Sequence, residues 1–288
     1  MLAIYKKELK SYFTSMMGCI FVAACLIIAS FFFCLYNLYL GYPNIYIGLQ
    51  YVVTFFVVLM PVLTMRIVSE EQRNKTDQLL YTVPVSVTSI VMGKYLAMLT
   101  IFGIPVLVIC TYPLILGQYG ESSHAESYLA ILAYFLIGAT FIAIGMFISS
   151  ITESQIIAAV VSFAVLLATQ FMDSIATLIS GTAVASLIGF IILIFILCLV
   201  YFLLAKNVLM YIGSLIVLIA TTVILFFVKP EMFEGSINGL LKSLSITSMA
   251  NDLFAYSILD ITAIVYYITV IAFFVFITVQ SIQKKRWN

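Results

Sequence analysis

The stretch MRIVSEEQRNKTDQLLYTVPVSVTSIVMGKYLA, residues 65–97, places a charged and polar segment between two long apolar runs. Over the 288 residues of the chain, 64% of the side chains are hydrophobic and only 9% are charged. Soluble domains are about half apolar and about a quarter charged. The chain is therefore predicted to be an integral membrane protein, and this stretch is predicted to leave the bilayer between two spans.

Apolar runs long enough to cross a bilayer occur eight times in the sequence. A membrane-spanning helix needs about 20 mainly apolar residues. The fold class is therefore predicted to be an all-α polytopic membrane protein with about eight transmembrane helices. The predicted spans are Met16–Leu40, Leu49–Met65, Tyr95–Gly117, Tyr128–Ser149, Ile156–Met172, Ala185–Ala205, Val208–Val228 and Ile261–Ile282.

The positions of the basic residues predict the orientation of these spans. With the amino terminus in the cytoplasm, all but two of the 13 Lys and Arg residues fall inside, and only Lys229 and Lys242 fall outside. This is the positive-inside pattern, so both termini are predicted to be cytoplasmic. The net charge of +1 favours neither nucleic acid nor an acidic substrate.

Residues 69–94 then form the longest cytoplasmic connection, and their pattern indicates a helix. Ser69 and Gln72 have the spacing of a capping box, in which each side chain bonds a free backbone amide of the first turn. The helix is expected to run to about Tyr81, because Pro84 excludes Val83 from helical geometry. A second helical segment is expected to begin near Ser86 and to continue into the third span.

The end of this predicted helix carries an apolar tip of Leu79, Leu80 and Val83. An apolar tip surrounded by charge is typical of a docking element for another protein. The alternative is a solvated loop that only carries positive-inside charge. The sequence leaves both interpretations open.

Two further segments have the periodicity of amphipathic helices. Apolar residues at Leu2, Tyr5, Leu9 and Phe13 predict a helix at the membrane surface, unless the basic amino terminus only sets the topology. Residues 229–260 predict one or two amphipathic helices at the outer interface, for which resting on lipid is one interpretation. Their apolar positions are Ile237, Leu240, Leu241 and Leu244, followed by Ile246, Met249, Ala250, Leu253 and Phe254.

The sequence carries few candidates for chemistry. The sequence GKY at residues 93–95 lacks the upstream glycine and the Ser/Thr of a phosphate-binding loop. The only histidine, His124, lies in a polar loop, and the five cysteines lie in apolar runs, so we expect no metal site. Ionisable residues are nearly absent from the predicted spans, which disfavours proton or sodium coupling.

Four stretches, taken in order, resemble ABC-2 type permeases, the membrane subunits of type-2 ABC exporters. They are MLAIYKKELKSYFTSMMG (residues 1–18), the stretch 65–97, FIAIGMFISSITESQIIAAVVSF (141–163) and YSILDITAIVYYITVIAFFVFITVQSIQKKRW (256–287). The nearest subfamily is that of gliding-motility-type permeases, with a resemblance over roughly residues 1–172 and 240–287. Such permeases are similar to six-span proteins, so the two predicted spans within 185–228 form an extra hairpin.

The resemblance implies a role for each segment. The chain would form one transmembrane permease domain over residues 1–288, with an interface helix at 1–14, a coupling helix at 69–83, an extra hairpin region at 173–234 and external gate helices at 235–258. ATPase-coupling residues would be Glu70, Glu71, Arg73, Asp77, Leu79, Leu80 and Pro84. Interface-helix residues would be Lys6, Lys7, Glu8 and Lys10, and gate residues would be Leu240, Leu241, Leu244, Met249, Leu253 and Phe254.

The resemblance also implies the partners. An ABC ATPase subunit would bind ATP and Mg, and a second permease subunit, identical or different, would complete the transporter in the bacterial cytoplasmic membrane, with an accessory membrane protein as a further candidate partner. This chain would itself hold no cofactor and would not be an enzyme. The alternatives are an ATP-independent secondary transporter and an intramembrane enzyme built around His124, Glu121 and Glu126.

Overall fold

The computed structural model describes residues 1–76, 86–118, 124–205, 208–250 and 261–287. Within these ranges every regular element is a helix, so the predicted all-α class is confirmed. The helices are α1 (Leu2–Thr14), α2 (Met17–Phe33, continued by a π-helical segment Cys34–Tyr39), α3 (Tyr46–Thr64), α4 (Ser69–Arg73), α5 (Val87–Ile109), α6 (Tyr112–Leu116), α7 (His124–Ile151), α8 (Gln155–Leu178), α9 (Ala183–Ala205), α10 (Val208–Val228), α11 (Ser236–Leu244) and α12 (Ile261–Trp287).

Six helical segments in the described ranges are long and apolar enough to cross a membrane, which makes the chain a multi-pass membrane protein. They are Met17–Tyr39, Tyr46–Arg73, Val87–Leu116, His124–Ile151, Gln155–Leu178 and Ile261–Lys285. A strongly bent pair, Gly213–Val228 with Glu231–Leu244, would make a seventh span. The helices α9 and α10 begin and end close to the predicted sixth and seventh spans. The count of eight stays a prediction.

The chain divides into two compact units, residues 1–170 with 249–288, and residues 171–248. In the first unit α7 is the central helix and packs against α3, α5 and α12. Small residues permit this packing, because a Cβ added at Gly145 would lie 2.9 Å from the Cβ of Thr64, and one at Gly138 would overlap the ring of Phe102. At these two positions the small residues of α7 therefore serve packing inside the unit.

The second unit contains the region predicted as an extra hairpin. Here α9 packs against α10, and a 3₁₀ turn at Pro230–Phe233 leads into α11. The ring of Phe233 contacts Phe190 of α9 and Phe226 of α10, with ring centroids 5.8 and 5.7 Å apart. Helix α11 is amphipathic as predicted, since Ile237 is buried while Lys242 and Ser243 are exposed, but Leu244 of the predicted apolar face is 49% exposed.

Candidate functional site: a buried ionic cluster at the charged end of the bundle

Six helices of the first unit bring polar residues together at one end, which we call the charged end. It contains α1, the segment from the end of α3 through α4, the first turns of α5, the end of α7 and the end of α12. Lys7, Lys94 and Lys285, which the positive-inside pattern assigns to one side, all lie there. The grouping agrees with the predicted topology.

Lys94 lies at the centre of the charged end and is only 2% exposed. Its Nζ lies 2.7 Å from Glu71 Oε2 and 3.2 Å from Glu8 Oε1, and it donates to the carbonyl oxygen of Ile67 at 2.8 Å. A lysine ammonium has three N–H donors, and these three acceptors match that number. The cluster therefore satisfies a charge that would be very unfavourable if it were buried alone.

Lys7 closes the cluster from the solvent side. Its Nζ lies 3.1 Å from Glu71 Oε1 and 3.8 Å from Glu8 Oε1, with 60% of its side chain exposed. Burial alone would lower the pKa of Lys7, but the hydrogen bond and the charge of Glu71, with the charge of Glu8, outweigh it, so its pKa is raised above its ordinary value. Both oxygens of Glu71 are thus engaged within the chain.

Two further contacts beside this cluster hold helix α1 in place. The hydroxyl of Tyr12 is buried and donates to the carbonyl oxygen of Leu63 at 2.8 Å. Burial, with the charge of Glu8, raises the pKa of Tyr12 well above its ordinary value, although the nearby Arg66 opposes the shift. Gly93 allows α1 to approach α5, because an added Cβ would lie 3.2 Å from the carbonyl oxygen of Met1.

The expectation that Glu8 lies along the membrane surface is wrong, because Glu8 is buried and faces Lys94. Lys6 and Lys10 are exposed. Of the apolar positions that predicted an interfacial helix, Leu2 and Phe13 are exposed and Leu9 is partly exposed. The helix therefore presents an apolar face to its surroundings and its Glu8–Tyr12 face to the bundle.

The predicted capping box at Ser69 is wrong. The hydroxyl of Ser69 donates to the carbonyl oxygen of Met65 one turn earlier, since α4 follows α3 with almost no break. The side chain of Gln72 donates instead to the carbonyl oxygen of Ser150 at 3.0 Å. Helix α4 ends at Arg73, and Lys75 has a left-handed φ of 54°, so the predicted uninterrupted helix from Ser69 is broken there.

Helix α4 is tied to the ends of two other helices. The hydroxyl oxygen of Ser149 accepts from the backbone amides of Val68 and Ser69 at 3.3 and 3.2 Å. Lys285 of α12 donates to the side-chain oxygen of Gln72 at 3.1 Å and to the carbonyl oxygen of Ser150 at 2.9 Å. A lysine at the last carbonyls of α7 also complements the negative end of that helix.

Of the other predicted coupling residues, only Glu70 and Arg73 lie within the described residues, and neither belongs to the cluster around Lys94. Glu70 pairs with Arg66 one turn earlier. Arg73 is exposed, as are the three residues that follow it. Asp77, Leu79, Leu80 and Pro84 lie outside the described residues, so the apolar tip stays a prediction.

The predicted gate residues lie partly within the second unit. Leu240, Leu241 and Leu244 follow one another on α11, and Leu240 and Leu241 are half-buried. Met249 is half-buried just beyond this unit, whereas Leu253 and Phe254 lie outside the described residues.

The sequence reasoning did not identify Lys94 as a site residue and counted it only as an inside charge. A signal was nevertheless present. A lysine in the apolar run IVMGKYLAML, seven residues into a helix that begins at Val87, requires a carboxylate partner if the run is buried. The predicted start of this helix near Ser86 is confirmed, since the Ser86 hydroxyl caps it by accepting from the amide of Ser89.

Comparison with known protein families gives a match over much of the chain. A family model described as ABC-2 family transporter protein matches residues 20–203, which is more than half of the chain. The matched region continues past residue 172 and includes most of α9. No curated protein and no solved structure matches the chain.

Proposed function

The chain belongs to the ABC-2 family of transporter proteins, whose members are membrane-spanning permease subunits, and we propose that it couples ATP hydrolysis by a separate ATPase subunit to the export of a substrate. Family membership implies an ABC ATPase partner in general. The gliding-motility-type subfamily, the bacterial cytoplasmic membrane and cytoplasmic termini are part of the same proposal.

The surroundings of Lys94 argue against a nucleotide-binding role for this lysine, which is consistent with ATP hydrolysis on a partner. A phosphate-loop lysine must reach the β- and γ-phosphates of a nucleotide. Lys94 follows a glycine, but its ammonium is buried and directed at two carboxylates and a carbonyl oxygen. Its charge is therefore already neutralised within the chain.

The attachments of α4 are the observation that carries the proposal. One side of α4 is bonded to α7 and α12 through Ser149, Gln72 and Lys285, and Glu71 links it to α1 and α5. Arg73 and the three residues that follow it, Asn74, Lys75 and Thr76, are exposed. An ATPase that engages residues 73–83 would therefore push on a segment connected to four other helices.

We further propose the direction and the architecture of transport. Two permease subunits, identical or different, would act with two ATPase subunits, and closure of the ATPases on ATP would open a path between the permeases. Helix α11 and the residues around Met249 would gate the outer end of this path. The apolar and aromatic character of the spans favours a lipid-like or amphipathic cargo.

Co-purification with ABC ATPases of the same genome tests the proposal. The informative variant is Arg73→Glu combined with Leu80→Asp, which reverses an exposed charge on α4 and places a carboxylate in the predicted tip. The matched control is Lys242→Glu, a charge reversal at an exposed position near the end of α11.

We expect the wild type and the control to co-purify with an active ATPase and the double variant to lose it while eluting as a folded protein. Equal recovery of the ATPase by all three would remove residues 73–83 from the interface. Failure of every ATPase to bind would favour the ATP-independent transporter instead.

A further inference from the structure

A polar cavity of about 220 Å³ lies beside the ionic cluster, between α1, the end of α3 and α4. At about 30 Å³ for each water molecule, the volume corresponds to about seven waters. The same space accommodates a polar group of about eight non-hydrogen atoms. The cavity lies wholly within the first unit and needs no partner chain to form its walls.

The charges around the cavity balance. Its lining includes the cations Lys7 and Arg66 and the carboxylates Glu8, Glu70 and Glu71. The ammonium of Lys94, which contacts Glu8 and Glu71 from behind, supplies the third positive charge. A neutral site with both signs of charge favours a zwitterion over a simple anion or cation, because a zwitterion adds no net charge to it.

Three residues of the lining, Arg66, Ser11 and Asn74, offer hydrogen-bond donors to a ligand. Arg66 uses its Nε on Glu70, and its two Nη groups make no hydrogen bond within the described part of the chain. The hydroxyl of Ser11 and the side-chain amide of Asn74 also donate none there. A guanidinium fork with neighbouring hydroxyl and amide donors is the arrangement that binds phosphate oxygens well.

The lining also offers acceptors for an ammonium group. Lys94 bonds only Oε1 of Glu8, and Arg66 bonds only Oε2 of Glu70. The second oxygen of each carboxylate makes no hydrogen bond among the described residues. An ammonium with three N–H donors can bond such oxygens, whereas a trimethylated amine has no donor.

The predicted position of α1 at the membrane surface would place the cavity at the depth of lipid headgroups. The outward face of α1 carries the exposed apolar side chains of Leu2 and Phe13, with Lys6 and Lys10 beside them. A helix of this kind lies in the membrane surface with its apolar face at the boundary of headgroups and acyl chains. In that position, the cavity on the other side of α1 would be level with the lipid phosphates.

We propose that this cavity binds a phosphoethanolamine group, the headgroup of a zwitterionic membrane lipid, with the phosphate at Arg66 and Ser11 and the ammonium at Glu8 and Glu70. Phosphoethanolamine has about eight non-hydrogen atoms, which agrees with the available volume. The site would anchor α1 to the lipid surface beside α4. This inference does not depend on ATPase coupling.

Native mass spectrometry of the purified full chain tests the proposal. The chain is released from mixed micelles that contain equal amounts of phosphatidylethanolamine, phosphatidylcholine and phosphatidylglycerol with the same acyl chains. The test variant is Ser11→Leu, which fills the cavity from the half-buried side of α1. Thr14→Leu is the matched control, because Thr14 is exposed on the same helix and does not line the cavity.

We expect the wild type and Thr14→Leu to retain phosphatidylethanolamine over both other lipids by about tenfold, which corresponds to about 1.4 kcal/mol. In Ser11→Leu the ratio should fall to about one. Soluble glycerophosphoethanolamine is then added as a competitor. Displacement would identify the headgroup alone as sufficient, and persistence would identify the intact lipid as the ligand.

Equal retention of phosphatidylethanolamine and phosphatidylcholine by the wild type would overturn the proposal and leave the cavity to water. An undiminished preference in Ser11→Leu would also overturn it, by placing the lipid elsewhere. Neither result would bear on the ATPase, which is absent from the assay.

Discussion

Replacement of Lys94 by methionine should destabilise the protein far more than the same replacement of Lys7. The two lysines contact the same carboxylates, Glu8 and Glu71, but their burial differs greatly, with side chains 2% and 60% exposed. Removal of one member of a buried ion pair costs about 3–5 kcal/mol, because the partner charge stays buried. Exposed pairs contribute about 0–1 kcal/mol.

The contacts of Lys7 with the two carboxylates reduce the loss of stability expected for Lys94→Met. In Lys94→Met the carboxylate of Glu71 keeps Lys7 at 3.1 Å, and that of Glu8 keeps it at 3.8 Å. We therefore expect a loss of about 2–4 kcal/mol for Lys94→Met and below about 1 kcal/mol for Lys7→Met. At about 2–4 °C for each kcal/mol, a loss of about 3 kcal/mol lowers Tm by about 6–12 °C.

Thermal unfolding in detergent measures this difference, and limited trypsin digestion locates it. Release of α1 in Lys94→Met should expose the peptide bonds after Lys6 and Lys10 to cleavage, whereas Lys7→Met should digest like the wild type. Adding Glu8→Gln to Lys94→Met should restore part of the loss, because it removes the carboxylate whose remaining cation, Lys7, lies 3.8 Å away and is shared with Glu71. Equal Tm values for the two single variants would refute the reasoning that burial of the charge decides its contribution.

Two further outcomes follow from the same unit. Gly145→Ala should sharply reduce the yield of folded protein on size exclusion, because the added Cβ would lie 2.9 Å from that of Thr64. At Gly103 an added Cβ meets no atom within 4 Å, so Gly103→Ala should be neutral or should stabilise the protein by up to about 1 kcal/mol. The raised pKa values of Lys7 and Tyr12 mean that their stabilisation is fully present below about pH 10 and is lost as the pH rises beyond it. Tm should therefore fall less between pH 9 and pH 11 in Tyr12→Phe than in the wild type, and the variant should already be about 1 kcal/mol less stable at pH 9 through loss of the bond to Leu63. A parallel fall of Tm in both proteins would exclude Tyr12 as a contributor to the pH dependence.

The helices themselves follow from local sequence properties. Hydrophobic length placed α9 and α10 within two residues of their observed bounds, and the serine before Val87 predicted the start of α5. The periodicity of α11 identified Ile237 as an apolar position, and that residue is buried. These features are readable because each depends on residues no more than one or two turns apart.

The contacts between distant segments could not be predicted in the same way. The charged and apolar residues of α1 are compatible with more than one face of the helix turned inward. The observed face is the one that carries Glu8, which pairs with Lys94, 86 residues later in the chain. The capping box at Ser69 was wrong for a related reason. Its pattern is satisfied in the sequence, but a helix arriving from α3 offers the Ser69 hydroxyl a carbonyl acceptor at Met65 first.

The ionic cluster is better explained as a device for positioning than as a source of stability. Apolar residues of similar size often stabilise a buried site as well as an ion pair does, because desolvation of the charges offsets their attraction. Apolar contacts allow helices to slide, whereas the three acceptors around Lys94 fix the rotation and height of α1 and α4 relative to α5. A segment that receives a push from a partner needs this property, because a displacement reaches the spans only if the connecting contacts do not yield. Gln72 is bonded to α7 and α12, and Arg73, the next residue, is exposed. The exposed residues of the segment therefore follow directly after the residue that ties it to the spans.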